Sequence, residues 1–287
     1  MKTAVITGGS GGIGRAAAEK FAKEGYRVYE LSRRGSSFDG VTHITADVTD
    51  EQTVKSAFEK ISEENDGIDL CICNAGFGIS GAAEFTELAD AKSQLDVNFF
   101  GAFLTAKYAL PLLKTKKGRL MFVSSAAAVF AIPFQSFYSA SKAAVNMLSN
   151  AMRNELKPFG VSVCTLQLGD ANTGFTDARK RSFAGDEQYG GAVARSVATM
   201  EKDERHGMSP EKIAGVMYKV AEKKRVRNIY TVGGLYRLFC FLPHILPATF
   251  VNFLVGKLYV PKQNSKSEQK DGKKQYNMHD TKDKRVF

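Results

Sequence analysis

Short apolar runs alternate with longer amphipathic stretches along the first 234 residues of the chain. The runs lie at residues 3–7, 27–31, 42–46, 68–73, 119–123, 161–166 and 228–232. Runs of this length, bounded by Gly, Asn or charged residues, predict buried strands, and the stretches between them predict helices. Strands that alternate with helices form a parallel sheet covered on both faces. We therefore predict one α/β domain over residues 1–234, with a doubly wound parallel sheet.

The pattern changes after residue 234. Residues 235–260 are unusually apolar, and residues 238–256 carry no formal charge for 19 residues, which is close to the length that spans a bilayer. Pro243 and Pro247 interrupt this segment, so we predict short helices rather than one spanning helix. Such helices would cover a pocket, pair subunits or rest on a membrane surface. Residues 261–287 form a polar, basic tail that we predict to be disordered.

The net charge of +10 does not indicate a nucleic-acid site. From residue 262 to the end, Lys and Arg outnumber Asp and Glu by eight to four, so the tail supplies +4 of this charge. The rest is scattered, without the stripe of basic and aromatic residues that binds single strands. We therefore expect no nucleic-acid partner.

The cysteines bear on the compartment of the protein. Cys71, Cys73, Cys164 and Cys240 form no Cys-x-x-Cys pair and have no histidines at metal-ligand spacing. Buried free thiols in a reducing compartment fit this arrangement better than disulfides or a zinc site. Met1 also leads directly into the first apolar run, without a charged and then apolar leader. These features predict a cytoplasmic protein without a metal site.

The first apolar run passes into a glycine-rich turn and then into a helical stretch. The turn consists of Gly8, Gly9, Ser10, Gly11, Gly12, Ile13 and Gly14. Between a strand and a helix, glycines permit a tight turn and let the backbone approach a pyrophosphate at the helix N-terminus. The alternative interpretation is a flexible turn.

The end of the second run indicates which dinucleotide would bind. NAD sites usually place an acidic residue there for the ribose hydroxyls, whereas an arginine accommodates a 2′-phosphate. Ser32 is neutral, and Arg33 and Arg34 follow it. The alternative interpretation is a pair of solvated surface arginines. We predict NADP(H) as the preferred cofactor and NAD(H) as the second choice.

A tyrosine and a lysine four residues apart are the candidate proton-transfer pair. Tyr138 and Lys142 lie in a helical stretch and therefore share one face. An ammonium group one turn away favours the phenolate and lowers the tyrosine pKa from about 10 toward the working range. The Tyr-x-x-x-Lys pattern alone also arises by chance. Ser125, at the end of the fifth run, and Asn98, in a helical stretch over residues 89–113, complete the predicted site.

These features follow one another in the order of a known set of motifs. The motifs are Thr7-Gly8-x-x-x-Gly12-Ile13-Gly14, Asp47-Val48, Asn74-Ala75-Gly76, Asn98, Ser125, Tyr138-x-x-x-Lys142 and Leu168-Gly169-x-x-x-Thr173. In combination they resemble the short branch of the short-chain dehydrogenase/reductase superfamily, over residues 1 to 233. The resemblance implies a Rossmann-type fold with about seven parallel strands, in a homodimer or homotetramer. The family commonly has an asparagine at the position of Cys73 and a proline at the position of Leu168. These two departures affect the expected loop geometry and remove no reacting group.

The resemblance also implies a role for each residue. Tyr138 would exchange a proton with the substrate oxygen, to which Ser125 would donate a hydrogen bond. Lys142 would lower the tyrosine pKa and hold the nicotinamide ribose, and Asn98 would fix a water that relays protons. The cofactor would be held by Gly8, Ser10, Gly12, Ile13, Gly14, Arg33, Asp47, Val48, Asn74, Ala75, Gly76, Tyr138, Lys142, Gly169 and Thr173.

The substrate is the least specified part of this interpretation. Residues 175–207, with several glycines among charged residues, are typical of a lid that closes over a substrate. The apolar extension is similar to those of hydroxysteroid and retinol dehydrogenases, which implies a bulky, steroid- or lipid-like alcohol or ketone. We predict an NADP(H)-dependent oxidoreductase that interconverts a carbonyl and an alcohol. The alternatives are a reductase of a small or 3-oxoacyl-like carbonyl and a non-catalytic dinucleotide-binding sensor. Peripheral membrane contact through residues 235–260 is a further expectation.

Overall fold

The protein folds around a sheet of seven parallel strands. The computed structural model describes residues 1–260, and the tail predicted over residues 261–287 lies outside them. The strands are β1 (Thr3–Thr7), β2 (Arg27–Ser32), β3 (Val41–Thr45), β4 (Leu70–Cys73), β5 (Ile79–Ser80), β6 (Arg119–Ser125), β7 (Ser162–Leu168), β8 (Lys180–Arg181) and β9 (Ile229–Val232). The large sheet has the order β3-β2-β1-β4-β6-β7-β9, and β5 pairs with β8 in a second, two-stranded sheet. The predicted Rossmann-type α/β fold is confirmed.

Helices cover both faces of the large sheet. They are α1 (Gly12–Lys23), α2 (Glu51–Glu64), α3 (Leu88–Leu95), α4 (Gly101–Lys116), α5 (Ser136–Glu155), α6 (Phe175–Ala178), α7 (Ala192–Arg205), α8 (Pro210–Ala221), α9 (Gly234–Phe241) and α10 (Ala248–Tyr259). One face packs against α1 and α8, through Phe21 and Met217. The other packs against α2, α4 and α5, through Phe58 and Val145. The strands are therefore buried on both sides, as their continuous apolar runs require.

The topology of the sheet creates a crevice. The chain builds β1, β2 and β3 toward one edge and then returns, so that β4 pairs with the other side of β1. Connections to either side of such a reversal cross opposite faces of the sheet, which leaves a crevice at the carboxyl ends of the two central strands. The ends of β6 and β7 lie at the same edge, because these strands are parallel to β4.

The helix predicted over residues 89–113 differs from the structure. α3 ends at Leu95, a π-helical turn covers Asp96–Phe100, and α4 begins at Gly101. Asn98 lies in this turn with only 1% of its surface exposed. Single π-helical turns often occur at functional sites, where the extra residue turns a side chain away from the regular helical position. Such a turn leaves the apolar pattern of the flanking helices in place, so the sequence does not reveal it.

Residues 175–207, predicted as a lid, contain α6, β8 and α7. β8 pairs in parallel with β5, aligning Ile79 with Lys180 and Ser80 with Arg181. This small sheet joins the segment to the chain that follows β4.

Residues 235–260 form the short helices that the prolines predict. α9 is followed by a 3₁₀ turn at Leu242–His244, which contains Pro243, and Pro247 directly precedes α10. Within residues 1–260, no helix is both long and apolar enough to cross a membrane.

Candidate active site

A cavity of about 840 Å³ occupies the crevice at the carboxyl ends of the strands. It brings together three of the four predicted catalytic residues and all of the predicted cofactor residues. The predicted residues in its lining are Gly8, Ser10, Gly12, Ile13, Gly14, Arg33, Asp47, Val48, Asn74, Ala75, Gly76, Ser125, Tyr138, Lys142, Gly169 and Thr173. Asn98 does not line the cavity and lies behind it.

The glycine turn leaves the N-terminus of α1 open toward the cavity. Gly11 precedes α1 without a side-chain cap, and the first turn of the helix contains no acidic residue. A Cβ atom at Gly14 would lie 2.2 Å from the carbonyl oxygen of Gly8, so this close approach requires glycine. Uncapped amide groups at a helix N-terminus favour a negative charge. This part of the cavity therefore fits the pyrophosphate of a dinucleotide.

The loop after β4 supports the glycine turn. The side-chain amide of Asn74 donates to the backbone oxygens of Thr7 at 3.0 Å and Gly8 at 3.4 Å. The backbone amide of Asn74 in turn donates to Thr7 Oγ1 at 3.0 Å. These bonds connect the ends of β1 and β4 and hold the turn. Gly8 has a φ of +69°, a conformation that glycine adopts readily.

The next loop along the sheet edge is held by Asp47. Its carboxylate accepts hydrogen bonds from the backbone amide of Thr49 at 2.9 Å and from the hydroxyl of the same residue at 2.8 Å. Val48 beside it packs closely against Gly101, where a Cβ atom would lie 2.7 Å from the valine side chain. These contacts thus fix the loop where Asp47 and Val48 line the cavity.

The end of β2 carries the two arginines and a buried carboxylate that sequence analysis missed. Arg33 and Arg34 are exposed and line the cavity. Glu30 is completely buried, contacts His43 Nδ1, and lies 3.3 Å from the hydroxyl of Ser32. Among residues 1–260, its Oε2 atom has no hydrogen-bond partner. The carboxylate does not line the cavity, so the only charged side chains of this strand end that reach the cavity are cationic.

Ser125, Tyr138 and Lys142 meet at the inner end of the cavity. Ser125 ends β6, and the other two lie one turn apart on α5. Lys142 Nζ lies 5.8 Å from the centre of the Tyr138 ring and donates to the backbone oxygen of Val123 at 3.1 Å.

Burial favours the neutral forms of both α5 residues. It raises the pKa of Tyr138 to about 12, although a hydrogen bond with Ser125 acts in the opposite direction. It also lowers the pKa of Lys142 to about 8. In the chain without cofactor, the pKa of the tyrosine is therefore higher than the sequence analysis anticipated. At neutral pH the phenol carries its proton and can act as an acid.

Asn98 connects two parts of the site from behind. Its Oδ1 accepts from the backbone amide of Phe77 at 3.0 Å, and its Nδ2 donates to the backbone oxygen of Phe77 at 3.1 Å and to Ser141 Oγ at 3.0 Å. A Cβ atom at Gly76 would lie 3.1 Å from Asn98 Oδ1 and 3.4 Å from Lys142 Nζ. Asn98 thus holds the loop after β4 against α5, directly beside the lysine.

The outer part of the cavity is built by residues with no local sequence signal. The ring of Phe175 lies 5.7 Å from that of Tyr138. Behind it, the buried Arg179 pairs with Glu204, which also accepts from Thr176 Oγ1 at 2.7 Å. The side-chain oxygen of Gln135, facing Arg179, accepts from its Nε at 3.2 Å. These contacts join α6, α7 and the start of α5 around the tyrosine.

The loop after β7 is fixed by the C-terminal helix α9. The ring of Tyr236 packs on Gly169, where a Cβ atom would lie 2.0 Å from it, and its hydroxyl donates to Asp170. Burial raises the pKa of Asp170 to about 6, while the bond from Tyr236 lowers it and the charge of Glu204 raises it. Thr173 Oγ1 caps the next turn by accepting from the amide of Phe175 at 3.1 Å. Neither Asp170 nor Tyr236 belongs to a sequence motif that predicts a role.

This arrangement fits a nicotinamide dinucleotide and a carbonyl substrate. The uncapped helix, the exposed arginines and the loops after β3, β4 and β7 would hold the cofactor along the sheet edge. The protonated Tyr138 and the hydroxyl of Ser125 converge where a substrate oxygen would lie. The site can therefore donate a proton to an oxygen atom that gains negative charge.

Comparison with known proteins agrees with this geometry. The sequence model of the family described as short chain dehydrogenase matches residues 2–183. The chain is 37% identical over 260 residues to a 3-ketodihydrosphingosine reductase of Bacteroides thetaiotaomicron, covering 89% of this chain and 97% of that one. It is 35% identical over 179 residues to an NADPH-dependent 1-acyldihydroxyacetone phosphate reductase of Schizosaccharomyces pombe, covering 60% of each. A short-chain dehydrogenase from Streptomyces avermitilis shares the fold, with a TM-score of 0.72, 22% identity, and 97% of this chain and 98% of that one covered.

Proposed function

The chain belongs to the short-chain dehydrogenase/reductase family and is an oxidoreductase of CH–OH or carbonyl groups, and from this premise we propose that it reduces a bulky, lipid-like ketone with NADPH. The observation that carries the proposal is the protonated, buried Tyr138 beside Ser125 and Lys142 at the inner end of an open cavity.

In the proposed reaction the chain supplies the proton and holds the oxygen. Bound NADPH would supply a hydride to the carbonyl carbon. Tyr138 donates its phenolic proton to the carbonyl oxygen, and Ser125 donates a hydrogen bond to the same oxygen. The charge of Lys142 stabilises the phenolate that remains. Asn98 acts from behind the site by holding the loop after β4 beside Lys142.

The reductive direction of the proposal is supported by the protonated state of Tyr138. A phenol with a pKa of about 12 is protonated throughout the physiological range. It is therefore ready to donate a proton, whereas oxidation of an alcohol would first require the phenolate. This difference supports reduction as the principal direction.

The proposed preference for NADPH is supported by the end of β2. Arg33 and Arg34 reach the cavity, while the carboxylate of Glu30 is buried away from it. An exposed guanidinium group favours a 2′-phosphate, since charge-assisted bonds to phosphate are strong. The S. pombe relative is also named as NADPH-dependent.

A lipid-like substrate is supported by the relatives and by the cavity wall. Both relatives carry names of lipid-related reductases. Phe175, Ala178, Met200 and Tyr259 provide an apolar wall at the outer part of the cavity. A small or 3-oxoacyl-like carbonyl is the alternative substrate, and a non-catalytic sensor is the alternative function. A small carbonyl would leave the apolar wall without a role, and a sensor would leave the proton-transfer groups without one.

The remaining proposals concern assembly and compartment. Phe100 at the end of the π-helical turn, Phe103 on α4 and Met147 on α5 are exposed apolar side chains. An exposed apolar patch of this kind is typical of an interface, which supports a homodimer or homotetramer. The cysteines are free, buried thiols, which supports a cytoplasmic enzyme.

The test is a panel of ketones with NADPH or NADH, followed at the nicotinamide absorbance. Long-chain or steroid-like ketones should be reduced with a higher kcat/KM than small ketones, and NADPH should be used in preference. Equal rates for small and large ketones would contradict the substrate proposal. A complete lack of turnover with bound NADPH would favour the sensor.

A further inference from the structure

The outer face of α9 and α10 exposes an unusual amount of apolar surface. On α9 and the turn after it, Leu235, Leu238, Phe241 and Ile245 are each more than half exposed. The outer face of α10 adds Phe250, Phe253, Leu254, Leu258 and Val260, all of them exposed. The inner faces of the same helices bury Cys240, Val251 and Val255. We call the exposed set the C-terminal apolar surface; a patch of this size on a folded protein marks an interaction site.

The charged side chains that α9 and α10 themselves carry have one sign. Residues 223–267 include no Asp or Glu. Lys257 lies on α10 with Nζ 4.7 Å from the centre of the Phe253 ring, and Arg237 lies on α9 with Nε bound to the backbone oxygen of Thr231. An apolar face bordered by cations is complementary to the acyl chains and anionic headgroups of a membrane surface.

A second copy of the chain fits this surface less well. In a twofold interface the same surface meets itself. Pairing of the surface with its own copy would bring the cations of both copies together at one interface, with no carboxylate from α9 or α10 to neutralise them. The exposed side chains of Phe100, Phe103 and Met147 are a separate candidate for subunit contacts.

The inner side of α10 lines the cavity, and the inner side of α9 packs on a loop that lines it. Tyr259, the last residue of α10, lines the cavity and packs against the cluster of Val193, Val197 and Met200. Tyr236 of α9 packs on Gly169. α10 therefore separates the C-terminal apolar surface from the cavity. Leu258 is exposed on its outer side, and Tyr259, the next residue, lines the cavity on its inner side.

We propose that the C-terminal apolar surface rests on an anionic phospholipid membrane, with α9 and α10 lying in the plane of the interface. The substrate then enters the cavity from the lipid, beside Tyr259. This second statement rests on the proposed lipid-like substrate, whereas membrane contact itself does not. The helices lie on the membrane rather than cross it, in keeping with their lengths of 8 and 12 residues.

Binding of the full-length protein to vesicles tests the proposal. The vesicles are phosphatidylcholine alone, or phosphatidylcholine mixed with phosphatidylglycerol, and bound protein is measured by co-sedimentation. We expect binding to the mixed vesicles that weakens with added salt. Absence of binding to either vesicle would overturn the proposal.

Matched variants identify the surface responsible. Phe253→Ser with Leu258→Ser should weaken binding by at least about tenfold, because two apolar side chains leave the lipid. Phe159→Ser, which changes an equally exposed phenylalanine after α5, should have no effect. Lys257→Glu should weaken binding to mixed vesicles about tenfold, whereas Lys157→Glu should not. All variants keep the basic tail, so unchanged binding in the α10 variants would assign binding to other parts of the chain and refute the proposal.

Two further measurements separate the alternatives. If size-exclusion chromatography shows that Phe253→Ser with Leu258→Ser dissociates an oligomer, a second copy occupies the surface and the proposal fails. Activity on a soluble ketone should be unchanged in this variant; a proportionate loss on every ketone would instead indicate that the surface is structural. Vesicle binding without reduction of any lipid-like ketone would support the membrane surface and refute the proposed function.

Discussion

The hydroxyl of Tyr236 donates a hydrogen bond to the carboxylate of Asp170, across 66 positions of the sequence. The tyrosine belongs to the C-terminal helix α9, and the aspartate directly follows Gly169 at the end of β7. The bond thus connects α9 to the loop after β7, which lines the cavity. It also places a partly buried carboxylate near Tyr138, whose pKa the charge of Asp170 raises.

Asp170 should reduce the stability of the protein at neutral pH. Its folded pKa of about 6 lies above the ordinary value of 3.8, so the folded state binds the proton more tightly. The unfavourable contribution of Asp170 to the stability of the folded state is absent below pH 4 and is complete above pH 6. Asp170→Asn should therefore raise the free energy of unfolding at pH 7.5 by up to about 3 kcal/mol. Urea unfolding of both proteins without cofactor measures this, and a difference that persists at pH 3.5 would contradict it.

Tyr138→Phe should abolish turnover and leave cofactor binding almost intact. The substitution removes the transferable proton but keeps the ring that packs against Phe175. General acid catalysis of this kind contributes about 10²- to 10⁴-fold. Single-turnover kinetics and NADPH titration by fluorescence measure the two effects. Retention of most of the activity would refute the proposed mechanism.

Reduction should slow as the pH rises through about 8. Lys142, with a pKa of about 8, loses its charge there, while Tyr138, with a pKa of about 12, keeps its proton. Loss of the ammonium charge removes the group that stabilises the phenolate. The profile of kcat/KM between pH 6 and 10 should show one decline. The Ser125→Ala variant should show the same decline at a lower overall rate. A profile that is flat to pH 10 would exclude this role for the lysine.

Arg33→Ala should weaken NADPH binding far more than NADH binding. A charge-assisted bond to phosphate contributes on the order of 1.5 to 3 kcal/mol, or about ten- to a hundredfold in affinity. Arg27→Ala is the matched control, because Arg27 is an exposed arginine at the opposite end of the same strand. Dissociation constants for both cofactors test the prediction. Equal losses for NADPH and NADH would indicate a structural arginine, and Arg34 would then be the residue to change.

The sequence predicts those parts of the molecule that leave a local or periodic signal. Apolar runs locate the strands, and the glycines before α1 identify the turn because few other residues could form it. The contacts of Asp170 with Tyr236 and of Arg179 with Glu204 join distant segments and leave no such pattern. The π-helical turn at Asn98 is hidden because the apolar pattern continues through it. The raised pKa of Tyr138 depends on burial, which only the assembled cavity determines.

The buried carboxylate of Glu30 constrains how the proposed preference for NADPH could change in evolution. An acidic residue in place of Ser32 is the usual means of selecting NAD. Here the side chain of Ser32 lies 3.3 Å from Glu30 Oε1, so Ser32→Asp alone would press a second carboxylate against a buried one and lose stability through repulsion. A lineage changing to NAD by this substitution would have to replace Glu30 first. His43 would then lose the contact of its Nδ1 and keep that of its Nε2 with Thr45. The required order of substitutions, rather than their number, is therefore the barrier to a change of cofactor. Ancestral reconstruction of this strand end would show in which order such changes occurred.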